Sequence, residues 1–188
     1  MQDGVCLLIR MDEEIRTHID AKRYTEAFEL VMAQYQNKVF RLACSILGNQ
    51  SVAEQTAQEI FVRIWRTLPG YRGMASISTW VYAIARNTSL SALKTASAHQ
   101  TISLDEARVR IAVSPREEAR GPDLPRMVAQ LPRKYREVIT LFYMEERSYE
   151  EVARLLDLPM GTVKTYLHRA KKELAAAMLQ SKMTEGGR

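Results

Sequence analysis

Apolar residues recur at helical spacing along the first half of this chain, and nothing there alternates with the two-residue period of a strand. From Asp12 to Ile46 the helical period is interrupted near residues 22–24 and stopped by Gly48 and Asn49. The pattern therefore predicts two helices, of which the second is amphipathic. Residues 1–10 match no motif.

A third helix is predicted to begin at Ser51, because Ser51 and Glu54 have the spacing of a capping box. Its predicted buried stripe consists of Ala53, Ala57, Ile60, Phe61, Ile64 and Leu68. Pro69 and Gly70 end this helix. An exposed loop at 71–76 and a helix from about Ser78 to Leu93 are predicted to follow.

The helical period disappears between Lys94 and Asp123, where Ser, Gly and Pro interrupt the chain and arginines supply charge. Beyond it, the pattern predicts a short helix from Leu124 to Leu131 and a strongly apolar helix around residues 138–143. The predicted fold class is all-α, with two small helical domains joined by a flexible linker. The predicted boundaries are 1–94 for the first domain, 95–122 for the linker and 123–188 for the second domain.

The stretch 148–172 predicts two helices joined by a tight turn. A capping box at Ser148 and Glu151 starts the first helix, and Pro159 suits the opening position of the second. Leu158 and Val163 are predicted to point inward. The predicted outward face of the second helix consists of Lys164, Thr165, His168, Arg169, Lys171 and Lys172. This pattern is typical of a helix-turn-helix that offers a basic helix to a DNA major groove, whereas a helical hairpin with a merely solvated face is the alternative.

Composition agrees with a DNA-binding protein but does not establish one. The 188 residues are 46% hydrophobic and carry a net charge of +5, with a pI near 9.3. Cys6 and Cys44 are the only cysteines, and they lie far apart with no nearby His cluster, so neither a disulfide framework nor a metal or cofactor site is predicted. The apolar run at residues 5–9 is too short to span a bilayer. A cytoplasmic protein is expected.

Several segments together resemble one family, the extracytoplasmic-function (ECF) sigma factors of bacterial RNA polymerase. Residues 131–174, LPRKYREVITLFYMEERSYEEVARLLDLPMGTVKTYLHRAKKEL, look like the promoter-binding C-terminal domain of that group. AEQTAQEIFVRIWRTLPGYRG and STWVYAIARN are similar to its N-terminal domain. The resemblance covers residues 25–176, and it implies core RNA polymerase, promoter DNA and an anti-sigma factor as partners.

The resemblance also implies roles for individual residues. The polymerase-binding positions are Gln55, Gln58, Glu59 and Val62, although the family usually has Asp where this chain has Gln55. The positions that read and melt the minus-ten element are Arg72, Ser76, Thr79, Trp80, Arg86 and Asn87. Trp80 is the least secure of these, because a Trp in a helical domain is more often a core residue than a wedge between bases. The minus-thirty-five positions are Lys164, Thr165, His168 and Arg169, with Arg147 and Lys171 as phosphate contacts and Tyr166 half in the core.

Two other classes of protein are compatible with part of the pattern. A free-standing helix-turn-helix regulator would need a ligand pocket or a phosphoacceptor carboxylate cluster in its first domain, and the sequence indicates neither. An enzyme acting on nucleic acid would need a phosphate loop, paired metal-binding carboxylates or a nucleophile beside a His. His18, His99 and His168 show no ligand spacing, so the chain is predicted not to be an enzyme.

Overall fold

A computed structural model of the chain describes residues 2–99 and 124–185, with side chains described for 11–96 and 127–180. Every regular element in these ranges is helical, which confirms the predicted all-α class. The α-helices are α1 (Gln2–Asp20), α2 (Tyr24–Leu47), α3 (Gln50–Thr67), α4 (Ile77–His99), α5 (Leu124–Gln130), α6 (Arg133–Ile139), α7 (Tyr149–Leu156) and α8 (Met160–Glu185). A 3₁₀ turn at Leu68–Gly70 follows α3, and a π-helical turn at Thr140–Met144 follows α6.

Helices α1 to α4 form an N-terminal group in which α2 packs against the other three. The apolar period of α2 explains this position, because Val31, Tyr35, Val39 and Leu42 recur on one face and are all fully buried. The stripe predicted for α3, from Ala53 to Leu68, is buried throughout and is thereby confirmed.

The predicted capping box at Ser51 is wrong. Helix α3 begins at Gln50, and the Asn49 side chain caps it by accepting a hydrogen bond from the Val52 N–H at 3.1 Å. Gly48 ends α2 with a left-handed φ of 65°, and Asn49 follows in an extended conformation. Since a capping residue needs non-helical backbone angles, the end of α2 fixes the cap two residues before Ser51.

Helix α4 is longer than the sequence pattern predicted. It continues past Leu93 to His99, so residues 95–99 of the predicted linker are helical. Residues 97–99 include Ser and His but no Gly or Pro, so nothing in the sequence stops the helix at Leu93. The remainder of the predicted linker, 100–122, lies outside the described residues.

Helices α5 to α8 form a C-terminal group that contains the predicted helix-turn-helix. The capping box is confirmed, because Ser148 Oγ accepts from the Glu151 N–H at 3.2 Å and the Glu151 carboxylate accepts from the Ser148 N–H at 2.9 Å. Asp157 ends α7 with a left-handed φ of 54°, a conformation that Asp tolerates better than most residues. The turn brings α8 against α7, and Val163 of α8 is fully buried.

The two groups share one boundary. On the N-terminal side it is formed by α2 and α4, and on the C-terminal side by α6, α7 and the π-helical turn. Because charged side chains from both groups meet there, this boundary determines which predicted binding residues are accessible.

Candidate DNA- and polymerase-binding surfaces

The outward face of α8 carries the residues predicted to read the minus-thirty-five element. Val163, Leu167 and Ala170 are buried, so the positions between them face solvent. The exposed residues are Lys164, Thr165, His168, Arg169, Lys171 and Lys172. The predicted outward face is therefore confirmed, and Tyr166 is half-buried as expected. Which of these side chains reads a base stays a prediction.

Two exposed tyrosines lie beside this face and were not identified from the sequence. The Lys164 ammonium is 5.6 Å from the ring centroid of Tyr149, and the Lys171 ammonium is 5.1 Å from that of Tyr143. A hydrogen bond with the Tyr143 side chain raises the pKa of Lys171 above its ordinary value. Both ammonium groups lie over aromatic rings, an arrangement that suits contact with a phosphate backbone.

Hydrogen bonds within the loop 71–76 and the first turn of α4 hold that segment in place. Ser76 Oγ accepts from the Thr79 N–H at 3.2 Å and donates to Thr79 Oγ1 at 2.9 Å. The Tyr71 ring packs on Trp80 with centroids 5.3 Å apart. Trp80 is half-buried, so its indole is partly covered rather than free. The exposed members of the predicted minus-ten set are Arg72, Ser76 and Asn87.

Two arginines from the predicted DNA-binding sets lie at the boundary between the groups. Arg86 Nη2 donates to the Leu156 carbonyl at 3.1 Å. Arg147 Nη1 donates to Ser78 Oγ at 2.9 Å, and its guanidinium lies 5.3 Å from the centroid of the Tyr82 ring. Neither arginine therefore joins the exposed surface of its own set in this conformation.

A further arginine, Arg136, is buried in α6 and was not identified from the sequence. Its Nη1 donates to the carbonyls of Leu131 at 2.8 Å and Ala129 at 3.3 Å, and its Nε donates to the Ser45 carbonyl of α2 at 2.9 Å. Burial lowers the pKa of Arg136, while the adjacent Glu137 opposes that shift. The guanidinium thus connects α5, α6 and α2 through three backbone acceptors.

The outward face of α3 carries the residues predicted to bind polymerase. Gln55, Gln58, Glu59 and Val62 are all exposed, and they follow the three- and four-residue spacing of one helix face. The structure adds Trp65, the next position on this face, which is 43% exposed beside Val62 at 47%. We call these five residues the α3 surface. Trp65 was not identified from the sequence, although continuing the helical spacing from Val62 reaches it.

No metal site and no membrane-spanning helix were found in the part of the chain that the structure describes. Within it, no group of three or more His, Cys, Asp or Glu side chains could hold a metal ion. None of its helices is long and apolar enough to cross a membrane.

A helix-turn-helix with an exposed basic second helix, beside a helical domain, is typical of a DNA-binding protein. The sequence matches the family descriptions "Sigma-70 region 2" at residues 31–99 and "Sigma-70, region 4" at residues 123–174. It is 31% identical to the ECF RNA polymerase sigma factor SigW of Bacillus subtilis over 79% of this chain and 87% of that protein. It is 30% identical to the ECF RNA polymerase sigma-E factor of Haemophilus influenzae over 78% and 85% of the two chains. The chain belongs to the ECF sigma factors.

Two solved structures share the fold. The sigma factor RpoE in complex with the anti-sigma factor NepR from Bartonella quintana superposes with a TM-score of 0.67 at 20% identity, covering 81% of this chain and 96% of that one. CnrH in complex with the cytosolic domain of CnrY gives a TM-score of 0.62 at 21% identity, covering 89% and 96%. At this identity the similarity concerns the fold alone.

Proposed function

We propose that this protein is an alternative sigma factor that binds core RNA polymerase, directs it to specific promoters and helps open the DNA in the cytoplasm. The observation that carries this proposal is the occurrence of a region 2 and a region 4 in one chain, in that order. Residues 1–94 contain the polymerase-binding and minus-ten functions, and residues 123–188 contain the minus-thirty-five function. The protein acts through binding energy and catalyses no covalent step.

The exposed face of α8 supplies the promoter-reading chemistry. Lys164 and Arg169 are suited to guanine edges, and Lys171 to a phosphate. The Thr165 hydroxyl donates to the Gly161 carbonyl of its own helix at 2.8 Å. Thr165 therefore meets DNA as a hydrogen-bond acceptor or through its methyl group, which suits a thymine methyl.

Initiation from a promoter library by core RNA polymerase tests the proposal. With this protein added, polymerase is expected to start transcripts at a small set of related promoters, and without it those transcripts should be absent. The matched control adds a chain that lacks residues 123–188, which is expected to lose promoter selection. Specific duplex binding by the protein alone, with no initiation in the presence of polymerase, would instead identify a free-standing regulator.

Replacing Arg169 by alanine is expected to cost about 1–3 kcal/mol of binding to the preferred promoter and to relax selection at one base pair, because a base-reading arginine loses its hydrogen bonds to one edge. The measurement is competition among single-base promoter variants bound by the reconstituted holoenzyme. Lys172→Ala, which removes a neighbouring exposed cation, serves as the control for charge loss. An Arg169→Ala protein that loses affinity equally for all variants would show a phosphate contact instead.

We also propose that an anti-sigma factor regulates this protein. One structural neighbour is the sigma factor RpoE, solved with the anti-sigma factor NepR, and the other is CnrH, solved with the cytosolic domain of CnrY. Co-purification of the tagged protein from its host should recover such a partner together with polymerase subunits. Addition of the isolated partner is expected to abolish the promoter-specific transcripts.

A further inference from the structure

Glu145 is a buried carboxylate at the boundary between the two groups, immediately after the π-helical turn. Its side chain has no exposed surface. One oxygen accepts from Arg41 Nε of α2 at 2.8 Å, and the other accepts from the Tyr82 hydroxyl of α4 at 2.6 Å. Both partners belong to the N-terminal group. The carboxylate is therefore desolvated and satisfied only while the two groups are in contact.

Arg147 strengthens the same contact two residues further along the chain. Its Nε donates to the Glu145 carbonyl at 2.9 Å, which fixes the guanidinium beside the buried carboxylate. From there it reaches Ser78 and covers the Tyr82 ring, so its side chain is only 13% exposed. A residue predicted to contact promoter phosphate is thus held by the other domain.

Two more arginines connect the groups in the same way. Arg86 of α4, predicted to act at the minus-ten element, donates to the Leu156 carbonyl of the helix-turn-helix. Arg136 of α6 donates to the Ser45 carbonyl of α2. Arg86 donates from the N-terminal group, and Arg136 donates from the C-terminal group. Because Arg86 and Arg147 both lie at this boundary, the contact includes one residue from each predicted DNA-binding set.

A promoter requires a different arrangement of the two domains. The minus-ten and minus-thirty-five elements lie about 25 base pairs apart, which is about 85 Å at about 3.4 Å per base pair. Two touching domains of this size have centres only about 25 Å apart. The arrangement seen here cannot place one domain on each element.

We propose that this boundary is an autoinhibitory contact, in which Glu145 holds the free chain closed and keeps Arg86 and Arg147 from promoter DNA. Its consequence at the promoter rests on the proposed function, whereas the closed state itself is a property of the free chain. Opening exposes the buried Glu145 carboxylate to water, and its regained hydration offsets much of the lost interaction with Arg41, whose side chain is already partly exposed. Such a contact can yield to polymerase binding, because it stabilises one arrangement without making separation prohibitively costly.

Small-angle scattering of the full free chain tests the closed state. A compact chain of this length has a radius of gyration of about 16 Å, and the native protein is expected near this value. Glu145→Gln removes the charge and turns an amide N–H₂ toward a donor, so its radius is expected to rise by several ångströms. Glu146→Gln makes the same chemical change at the exposed neighbour and should scatter like the native protein.

A second variant approaches the contact from the N-terminal group. Arg41→Gln combined with Tyr82→Phe removes the guanidinium and the hydroxyl that donate to Glu145 and leaves the ring of Tyr82 in the core. Circular dichroism checks that the helices persist. It should expand like Glu145→Gln. Both open variants should also bind core polymerase about fivefold to tenfold more tightly, because a closed population lowers apparent affinity by the fraction that can bind.

Two results would overturn the proposal. One is a native chain that is already extended in solution, and the other is native-like scattering from both Glu145→Gln and the Arg41→Gln, Tyr82→Phe variant. Transcription by the native protein with polymerase is a separate measurement. Scattering therefore tests whether the free chain is closed, and transcription tests the proposed function.

Discussion

Arg136→Met is expected to lower the free energy of unfolding by about 3–5 kcal/mol, because it leaves buried backbone acceptors without a donor. The guanidinium donates to carbonyls of Ser45, Ala129 and Leu131, and the residue is only 2% exposed. Methionine keeps much of the apolar stem but offers no N–H group, so the cost arises mainly from the lost charged hydrogen bonds. Urea unfolding followed by circular dichroism measures it.

Arg154→Met is the matched control for this substitution. Arg154 is exposed on α7, and its only described hydrogen bond is a long one of 3.4 Å from Nε to the Glu150 carbonyl. The same chemical change should therefore cost less than about 1 kcal/mol. Equal unfolding midpoints for the two variants would contradict the role assigned to Arg136.

The helices and the exposed face of α8 could be predicted because both depend on the spacing of apolar residues that are close in sequence. Val163, Leu167 and Ala170 repeat with the helical period, so the side of α8 that faces the core is fixed by residues within three turns. The cap at Ser148 is equally local, since both of its hydrogen bonds close within three residues. Asn49 shows the limit of such signals: the spacing of Ser51 and Glu54 predicted the cap at Ser51, but the end of the preceding helix places it at Asn49.

The buried charges could not be predicted, because their partners are distant in sequence. Glu145 is bonded to Arg41, 104 residues away, and Arg136 to Ser45, 91 residues away. From sequence alone such residues are assigned to the surface, since charged side chains are rarely buried unless paired. The same reason explains Arg86 and Arg147: each lies on a face that its own domain leaves open, and the other domain covers it.

The α3 surface shows a different limit. The resemblance implied Gln55, Gln58, Glu59 and Val62 as polymerase-binding positions, and all four are exposed. It did not include the large aromatic side chain that continues the same face. Trp65 rests edge-to-face on Phe28, with ring centroids 5.2 Å apart, and still exposes 43% of its surface. An indole that packs on the domain on one side and is exposed on the other is typical of an aromatic residue that anchors a protein–protein interface.

Trp65→Ala is expected to weaken binding to core RNA polymerase by about 30-fold or more, the effect of losing about 2 kcal/mol at an aromatic anchor. Without the indole, the other residues of the α3 surface would no longer surround a large side chain that is buried against the polymerase. Titration of labelled protein with core polymerase measures the change. Trp65→Phe keeps an aromatic ring on Phe28 and should recover much of the affinity.

Leu179→Ala is the control for trimming an exposed apolar side chain, because Leu179 is 65% exposed on α8 and lies outside every proposed surface. It should bind polymerase like the native protein. Thermal unfolding of Trp65→Ala separates lost docking from lost folding, since removing the contact with Phe28 also costs some stability. Polymerase affinity that is the same for Trp65→Ala and Leu179→Ala would place the docking anchor elsewhere on the chain.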